Sequence, residues 1–209
     1  MSFSKRIKQG MAILALLIGG SMLSGQSDEN NWQSYVNDPS PGNYLRCKYE
    51  VDQALKEYPE PYGSERNRVN SPVRFKILVP GVYGKFLELV SSGDALAVDL
   101  AFQIYEFVRV GHPQEEIGIA MESLVTRDPT LFLEICNRYY DDPVYNISDF
   151  RLGVFVVPKD YKYIDKFDLT IAESQKRIQL LMSVDIDRLE TVKSICIGQL
   201  EKHIKLFSE

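Results

Sequence analysis

Four successive segments in the middle of the chain carry apolar residues at helical spacing, and the links between them are short. The segments begin near residues 81, 95, 113 and 129. Apolar side chains that recur every three or four positions form one face of an α-helix. Links this short place consecutive helices antiparallel. The pattern therefore predicts a mainly α fold, with antiparallel helical hairpins over residues 43–143.

Residues that start and stop helices stand at the ends of these segments. Asp94 precedes the second segment, where its carboxylate can accept hydrogen bonds from free N–H groups. Gly111 is placed to close that segment, and Pro113 opens the third. Asp128 and Pro129 open the fourth in the same way. The apolar faces predict Leu100 and Ile135 as core residues.

An offset of 35 residues aligns the second segment with the fourth. Leu96 then matches Leu131, and Leu100 matches Ile135. Repeats of helical hairpins have periods of this length, although they are stable with three or more copies and two are visible here. Packing of the α-solenoid or armadillo type is therefore an alternative within the predicted fold class.

The segments before this array are more polar. Residues 28–42 contain two prolines and a glycine, which predicts a flexible N-terminal arm that Trp32 and Tyr35 pin to the body. Residues 43–58 carry an apolar helical stripe. Residues 59–72 are rich in turn residues and predict a long loop.

The region after the array is predicted to be extended over residues 144–169. Within it, alternating apolar residues predict one small extended hairpin near 150–164, and the alternative is a short buried helix after Asp149. Thr170 and Glu173 have the spacing of a capping box, which predicts a C-terminal helix pair over 170–209. The predicted join lies at 183–187, with one long bent helix as the alternative.

The first 27 residues have the layout of a secretory signal peptide. Basic residues precede an uncharged, mostly apolar run over 11–23, and small residues follow it. Cleavage is expected after Gly25 or Ser27. An uncleaved anchor is the alternative, but 13 residues are short of the roughly 20 that a membrane span needs. We therefore expect a secreted or periplasmic protein with no stable membrane span after the signal is removed.

Charge and cysteine content limit the possible partners. The chain has 24 basic and 29 acidic residues; without the three bases of residues 1–27 the formal charge is −8. An acidic chain is poorly suited to nucleic acid, because phosphate binding needs clustered Lys and Arg. In an exported protein Cys47, Cys136 and Cys196 allow three different single disulfides, or all remain buried thiols.

No catalytic or cofactor pattern is present. His112 and His203 are the two histidines, each near a helix end, and no phosphate-binding glycine pattern or metal-ligand spacing occurs. We therefore assign no catalytic residue, cofactor or metal. The sequence favours a non-enzymatic interaction or structural protein of the cell envelope, with another envelope protein as partner. The alternative is an extracytoplasmic enzyme or small-ligand binder.

Tyrosine is abundant, with 12 in 209 residues. Tyr139, Tyr140, Tyr145, Tyr161 and Tyr163 cluster where the helical array ends. Tyrosine is favoured at binding surfaces because it combines a large ring with one polar tip. These five residues are the candidate interaction surface, or the lining of the pocket in the alternative. They can equally fill a seam between packed elements.

Overall fold

A computed structural model describes residues 30–60, 63–109, 111–145, 147–159 and 166–208, and this part of the chain is mainly helical, as predicted. Its α-helices are α1 (Asn31–Asn37), α2 (Pro41–Glu57), α3 (Pro72–Ile77), α4 (Val82–Ser92), α5 (Ala95–Ile104), α6 (His112–Arg127), α7 (Pro129–Tyr139), α8 (Asp149–Val156), α9 (Phe167–Met182) and α10 (Glu190–Ser208). Short 3₁₀ turns, Arg68–Asn70 and Asp187–Leu189, precede α3 and α10.

Two predicted helix starts are confirmed by their capping bonds. The Asp94 carboxylate accepts the N–H of Ala97 at 2.8 Å, and the Asp128 carboxylate accepts that of Leu131 at 2.9 Å. Gly111 does not close the helix before it. That helix ends at Ile104, and Gly111, with φ 78°, precedes α6 instead. The chain after Ile104 tightens into turns because Tyr105, Phe107 and Val108 enter the core.

Helices α4 and α6 lie side by side and run in the same direction. Tyr83 at the start of α4 donates a hydrogen bond to the Pro113 carbonyl at the start of α6. Gly93, just after α4, lies against the side chain of Arg127 at the end of α6. Since α5 connects them in the opposite direction, consecutive helices are antiparallel here.

The C-terminal helices α9 and α10 form an antiparallel hairpin. The rings of Phe167 and Phe207 lie 5.2 Å apart at its open end, and Ser174 and His203 lie one or two turns further in. Residues 183–189 join the helices, close to the predicted position. The predicted capping box is wrong. Helix α9 begins at Phe167, so Thr170 lies inside it and its hydroxyl bonds the Lys166 carbonyl at 3.1 Å.

Within the predicted N-terminal arm, residues 31–37 form a helix that belongs to the core. Trp32 and Tyr35 are completely buried. The Trp32 ring meets Phe86 edge-on at 5.9 Å, and the Tyr35 hydroxyl donates to Asp94 at 3.1 Å. The apolar area of these two rings outweighs the polar composition of the segment.

The predicted extended hairpin near 150–164 is not confirmed. Asp149–Val156 forms helix α8, and residues 160–165 lie outside the described residues. A buried helix satisfies its own backbone groups, as in the bond from the Leu152 N–H to the Ser148 carbonyl at 2.9 Å. The alternating pattern was misleading because every residue of α8 after Phe150 is buried or half-buried, so its apolar residues are not limited to one face.

Replacing Leu100 by alanine tests the assignment of the core. Leu100 is completely buried on α5, so we expect Leu100→Ala to lower the free energy of unfolding by about 3 kcal/mol. Urea denaturation measures this. Leu206→Ala, at a side chain that is 71% exposed, is the control and should cost less than about 0.5 kcal/mol. Equal effects would contradict the assigned helix faces.

Candidate functional site

The buried carboxylate of Asp99 organises the region where the tyrosines cluster. Its Oδ2 accepts the Tyr44 hydroxyl at 2.7 Å and the Gln103 amide at 2.6 Å. Its Oδ1 accepts the Tyr139 hydroxyl at 2.9 Å and the guanidinium of Arg138. Three helices, α2, α5 and α7, contribute these groups. Burying a charge is costly unless it is paired and hydrogen-bonded, and here both requirements are met.

Burial and the Asp99 charge together keep the two tyrosine partners protonated. Burial, and after it the neighbouring Asp99 charge, raises the pKa of both the Tyr44 and Tyr139 hydroxyls. Both hydroxyls therefore remain hydrogen-bond donors at neutral pH. The cluster is therefore a hydrogen-bonded support.

The loop after α7 is built on this support. The Tyr145 ring packs edge-on against Tyr139 with centroids 4.7 Å apart, and burial raises the pKa of Tyr145 to about 12. The Asp141 N–H donates to the Ile147 carbonyl at 2.8 Å, which closes the loop. The buried guanidinium of Arg68 donates to the Val144 carbonyl and ties the loop to the segment before α3.

Apolar side chains project from this loop and from the start of α8. Val144 is 45% exposed, and Phe150, at 77%, is the most exposed large apolar side chain among the described residues. Tyr140 and Tyr145 are half-buried. The Tyr140 hydroxyl donates to Asp149 at 2.9 Å, which joins the loop to α8. We call Tyr140, Val144, Tyr145 and Phe150 the junction surface.

Acidic residues surround the junction surface. Asp141 and Asp149 are exposed, and Asp142 is half-buried. Asp142 also accepts the Val144 N–H at 2.8 Å, so it shapes the loop as well as charging it. Asp141 adopts φ 58°, a left-handed conformation that Asp tolerates better than most residues. The surface therefore combines aromatic rings with negative charge.

The structure brings three of the five predicted tyrosines together. Tyr140 and Tyr145 belong to the junction surface, whereas Tyr139 is buried beneath them and bonds Asp99. Tyr161 and Tyr163 lie outside the described residues. Sequence reasoning missed the exposure of Phe150, because the alternating pattern grouped it with Leu152 on one face of a strand. On a helical period it lies away from the buried Leu152 and Phe155.

A second exposed apolar patch lies at the open end of the α9–α10 hairpin. We call it the hairpin-end patch; its members are Phe167, Leu169, Leu206 and Phe207. The first three are more than half exposed.

Each histidine lies beside one polar side chain. His112 is exposed at the start of α6, with its Nδ1 3.2 Å from Glu116. His203 Nδ1 lies 3.2 Å from Ser174 Oγ, but the Ser174 hydroxyl donates its proton to the Thr170 carbonyl at 2.9 Å. The bond to the Thr170 carbonyl is the one that a serine inside a helix commonly makes, and it competes with a bond to His203.

Two further buried acids are paired with arginines from later helices. Glu106 pairs with Arg151 of α8. Glu122 of α6 lies 3.3 Å from Arg177 of α9, and the N–H of Lys159 donates to Glu122 at 2.7 Å. Burial raises the pKa of Glu122, and the charge of Arg177 opposes that shift. Burial also lowers the pKa of Lys159 to about 8.

Lys159 gives the protein a measurable pH dependence. Between about pH 8 and 10.5 the unfolded chain keeps the Lys159 proton and the folded protein has lost it, so stability rises with pH in this range. Glu122, Arg177 and Glu115 are the charges that act on it. We expect Lys159→Met to stabilise the protein at pH 7 by about 1–2 kcal/mol, since the loss of the Lys159 bond to Val154 offsets part of the gain.

Urea denaturation of both proteins from pH 7 to 10.5 measures this effect. The difference should shrink as the pH rises. Lys202→Met, at an exposed position, is the control and should stay within about 0.5 kcal/mol of the wild type throughout. A constant difference between Lys159→Met and the wild type would contradict the assigned pKa.

Comparisons of the chain with protein-family models, with curated proteins and with solved structures found no match. Within the described ranges, no helix has both the length and the apolar composition that a membrane crossing requires.

Proposed function

We propose that this protein is an exported, non-enzymatic interaction protein of the cell envelope, and that it binds another protein through the junction surface. The exposure of Phe150 beside Tyr140 is the observation that carries the proposal. Exposed apolar groups rimmed by polar residues are typical of protein interaction sites. Because Tyr139 and Asp99 hold the loop from below, the surface needs little ordering when a partner binds.

The proposed partner presents a basic segment. Asp141, Asp142 and Asp149 border the junction surface, and the chain after residue 27 has a formal charge of −8. Complementary charge steers association and selects among partners. Arginine and lysine side chains can pair with these carboxylates while their stems, or an arginine plane, lie over Phe150 and Tyr140.

We extend the proposal to Tyr161, Tyr163 and the packing of the helical array. Tyr161 and Tyr163 would enlarge the junction surface, and residues 43–209 would form one helical domain that α1 joins. The parallel placement of α4 and α6 supports packing of the helical-repeat type, which commonly provides binding surfaces.

We expect removal of the signal peptide during export to shorten the N-terminus. The basic and apolar segments of residues 1–27, which lie outside the described residues, support a removed signal peptide. The cap of α1 is Asn30, so cleavage after Gly25 or Ser27 leaves the packed helix intact. Mass spectrometry of the exported protein should show a chain that begins at Gln26 or Asp28. An intact Met1 would refute cleavage.

Site-specific photo-crosslinking in the native host tests the interaction. A photoreactive amino acid replaces Phe150 in one variant and Phe75 in a matched control. Phe75 is also an exposed phenylalanine, on α3, which packs against the N-terminal helices. A third variant carries the photoreactive residue at Phe167 of the hairpin-end patch.

The expected result is one discrete adduct from position 150 and none from position 75. The partner peptide should be rich in Lys or Arg, and the adduct should weaken at high salt because screening acts on exposed charges. Asp141→Asn, which removes a charge and keeps a residue that tolerates φ 58°, should weaken it too. Adducts from positions 75 and 150 alike, an adduct only from 167, or crosslinking to a second copy would each overturn the proposal.

A further inference from the structure

Two of the three cysteines meet in the core. Cys136 on α7 and Cys196 on α10 are completely buried, and their thiols lie close enough to interact with each other. The two helices pack against each other, and the ion pair between Glu134 and Arg188 joins the same region at the surface. All three cysteines are free thiols in the structure.

The third cysteine has a different partner. Cys47 on α2 is also completely buried, and its thiol lies 3.4 Å from the Asn31 carbonyl of α1. Sequence alone allowed three single disulfides. The packing brings together only the thiols of the 136–196 pair.

We propose that Cys136 and Cys196 form a disulfide that links α7 to α10 when the protein folds in an oxidising compartment, and that Cys47 remains a thiol. The oxidant is a disulfide of the R–S–S–R class, either a small molecule or a protein. One thiolate attacks it and releases R–SH, and the second thiolate then attacks the resulting mixed disulfide and releases another R–SH. Two electrons and both thiol protons pass to the oxidant.

The bond forms during folding rather than afterwards. Burial raises the pKa of the Cys136 and Cys47 thiols, so the reactive thiolate is scarce in the folded protein. In the unfolded chain all three thiols are accessible. Native packing then holds Cys136 against Cys196 and selects this pair.

Refolding tests the pairing with purified protein that lacks residues 1–27. The reduced, denatured protein refolds in a mixture of oxidised and reduced glutathione, and peptide mapping under non-reducing conditions identifies the bridge. We expect the 136–196 peptide pair and an alkylatable Cys47. The bridge closes a loop of about 60 residues, so the oxidised protein should melt about 10 °C higher than the reduced one.

Two alanine variants separate pairing from packing. Cys47→Ala should still form the bridge and keep the difference in melting temperature between oxidised and reduced protein. Cys136→Ala should lose both. A bridge that includes Cys47, no bridge after refolding, or equal melting temperatures of the oxidised and reduced wild type would overturn the proposal. The test uses no partner protein, so its outcome is independent of the interaction proposed for the junction surface.

Discussion

Replacing Asp99 by alanine is expected to lower the free energy of unfolding by about 4 kcal/mol. The carboxylate accepts hydrogen bonds from Tyr44, Gln103, Arg138 and Tyr139. Alanine would leave these donors without their acceptor, and the Tyr139 side chain is buried, so water cannot easily replace the carboxylate. Urea denaturation measures the loss.

Asp99→Asn should recover little of this stability, because an amide presents its own N–H groups to donors. Asp52→Ala is the matched control. The Asp52 side chain is 41% exposed and pairs with Lys48 at 3.0 Å on the surface, so its loss should cost about 0.5 kcal/mol. Similar costs for Asp99→Ala and Asp52→Ala would contradict the central role of Asp99.

Asp99→Ala also tests whether the Asp99 cluster holds the junction surface in place for binding. Tyr139 carries the Tyr145 ring, and Asp99 holds Tyr139. Asp99→Ala should therefore weaken crosslinking from position 150 under conditions where the variant is still folded. Unchanged crosslinking would show that the junction surface does not depend on this support.

Replacing Arg177 by methionine should be about as costly, with a loss of about 4 kcal/mol at neutral pH. Arg177 is buried and donates to Glu122 at 3.3 Å, to Glu173 at 3.1 Å and to the Val156 carbonyl at 2.8 Å. Methionine fills much of the volume but leaves Glu122 as a buried carboxylate without its ionic partner. Lys176→Met, at an exposed neighbouring position, should cost less than about 0.5 kcal/mol.

The pH dependence of Arg177→Met tests whether the lost stability comes from the Glu122 carboxylate. Burial raises the pKa of Glu122, and Arg177 normally opposes this, so the substitution raises the pKa further. Folded Glu122 then keeps its proton at a pH where the unfolded chain has lost it, and stability falls as the pH rises through that range. The variant should lose less stability at pH 5 than at pH 8. An equal loss at both values would point to packing rather than to Glu122.

Sequence reasoning found the elements whose signals are local. The apolar stripes of α4 to α7 and the caps at Asp94 and Asp128 depend on residues within a few positions of one another. The join between α9 and α10 was predicted from the break between two apolar stripes. These features follow from helical period and capping chemistry, which act inside one segment.

The pairing of buried charges could not be predicted in this way. Asp99 and Glu106 stand seven positions apart in a stretch that is apolar apart from Gln103, which signals buried acids on one side of the predicted helix. Their partners Arg138 and Arg151 come from later helices, and no local pattern connects them. Such pairs disfavour wrong helix neighbours, because a misplaced helix leaves a buried charge unpaired.

The sequence by itself determined that the chain is mainly helical, where most helices begin, and which faces are apolar. Tertiary structure decided that α8 is a helix, that α1 enters the core, and that Phe150 projects outward while Tyr139 is buried. The reason is physical. Helical period and caps are local properties, whereas burial of a short segment depends on the surfaces that distant parts of the chain bring against it.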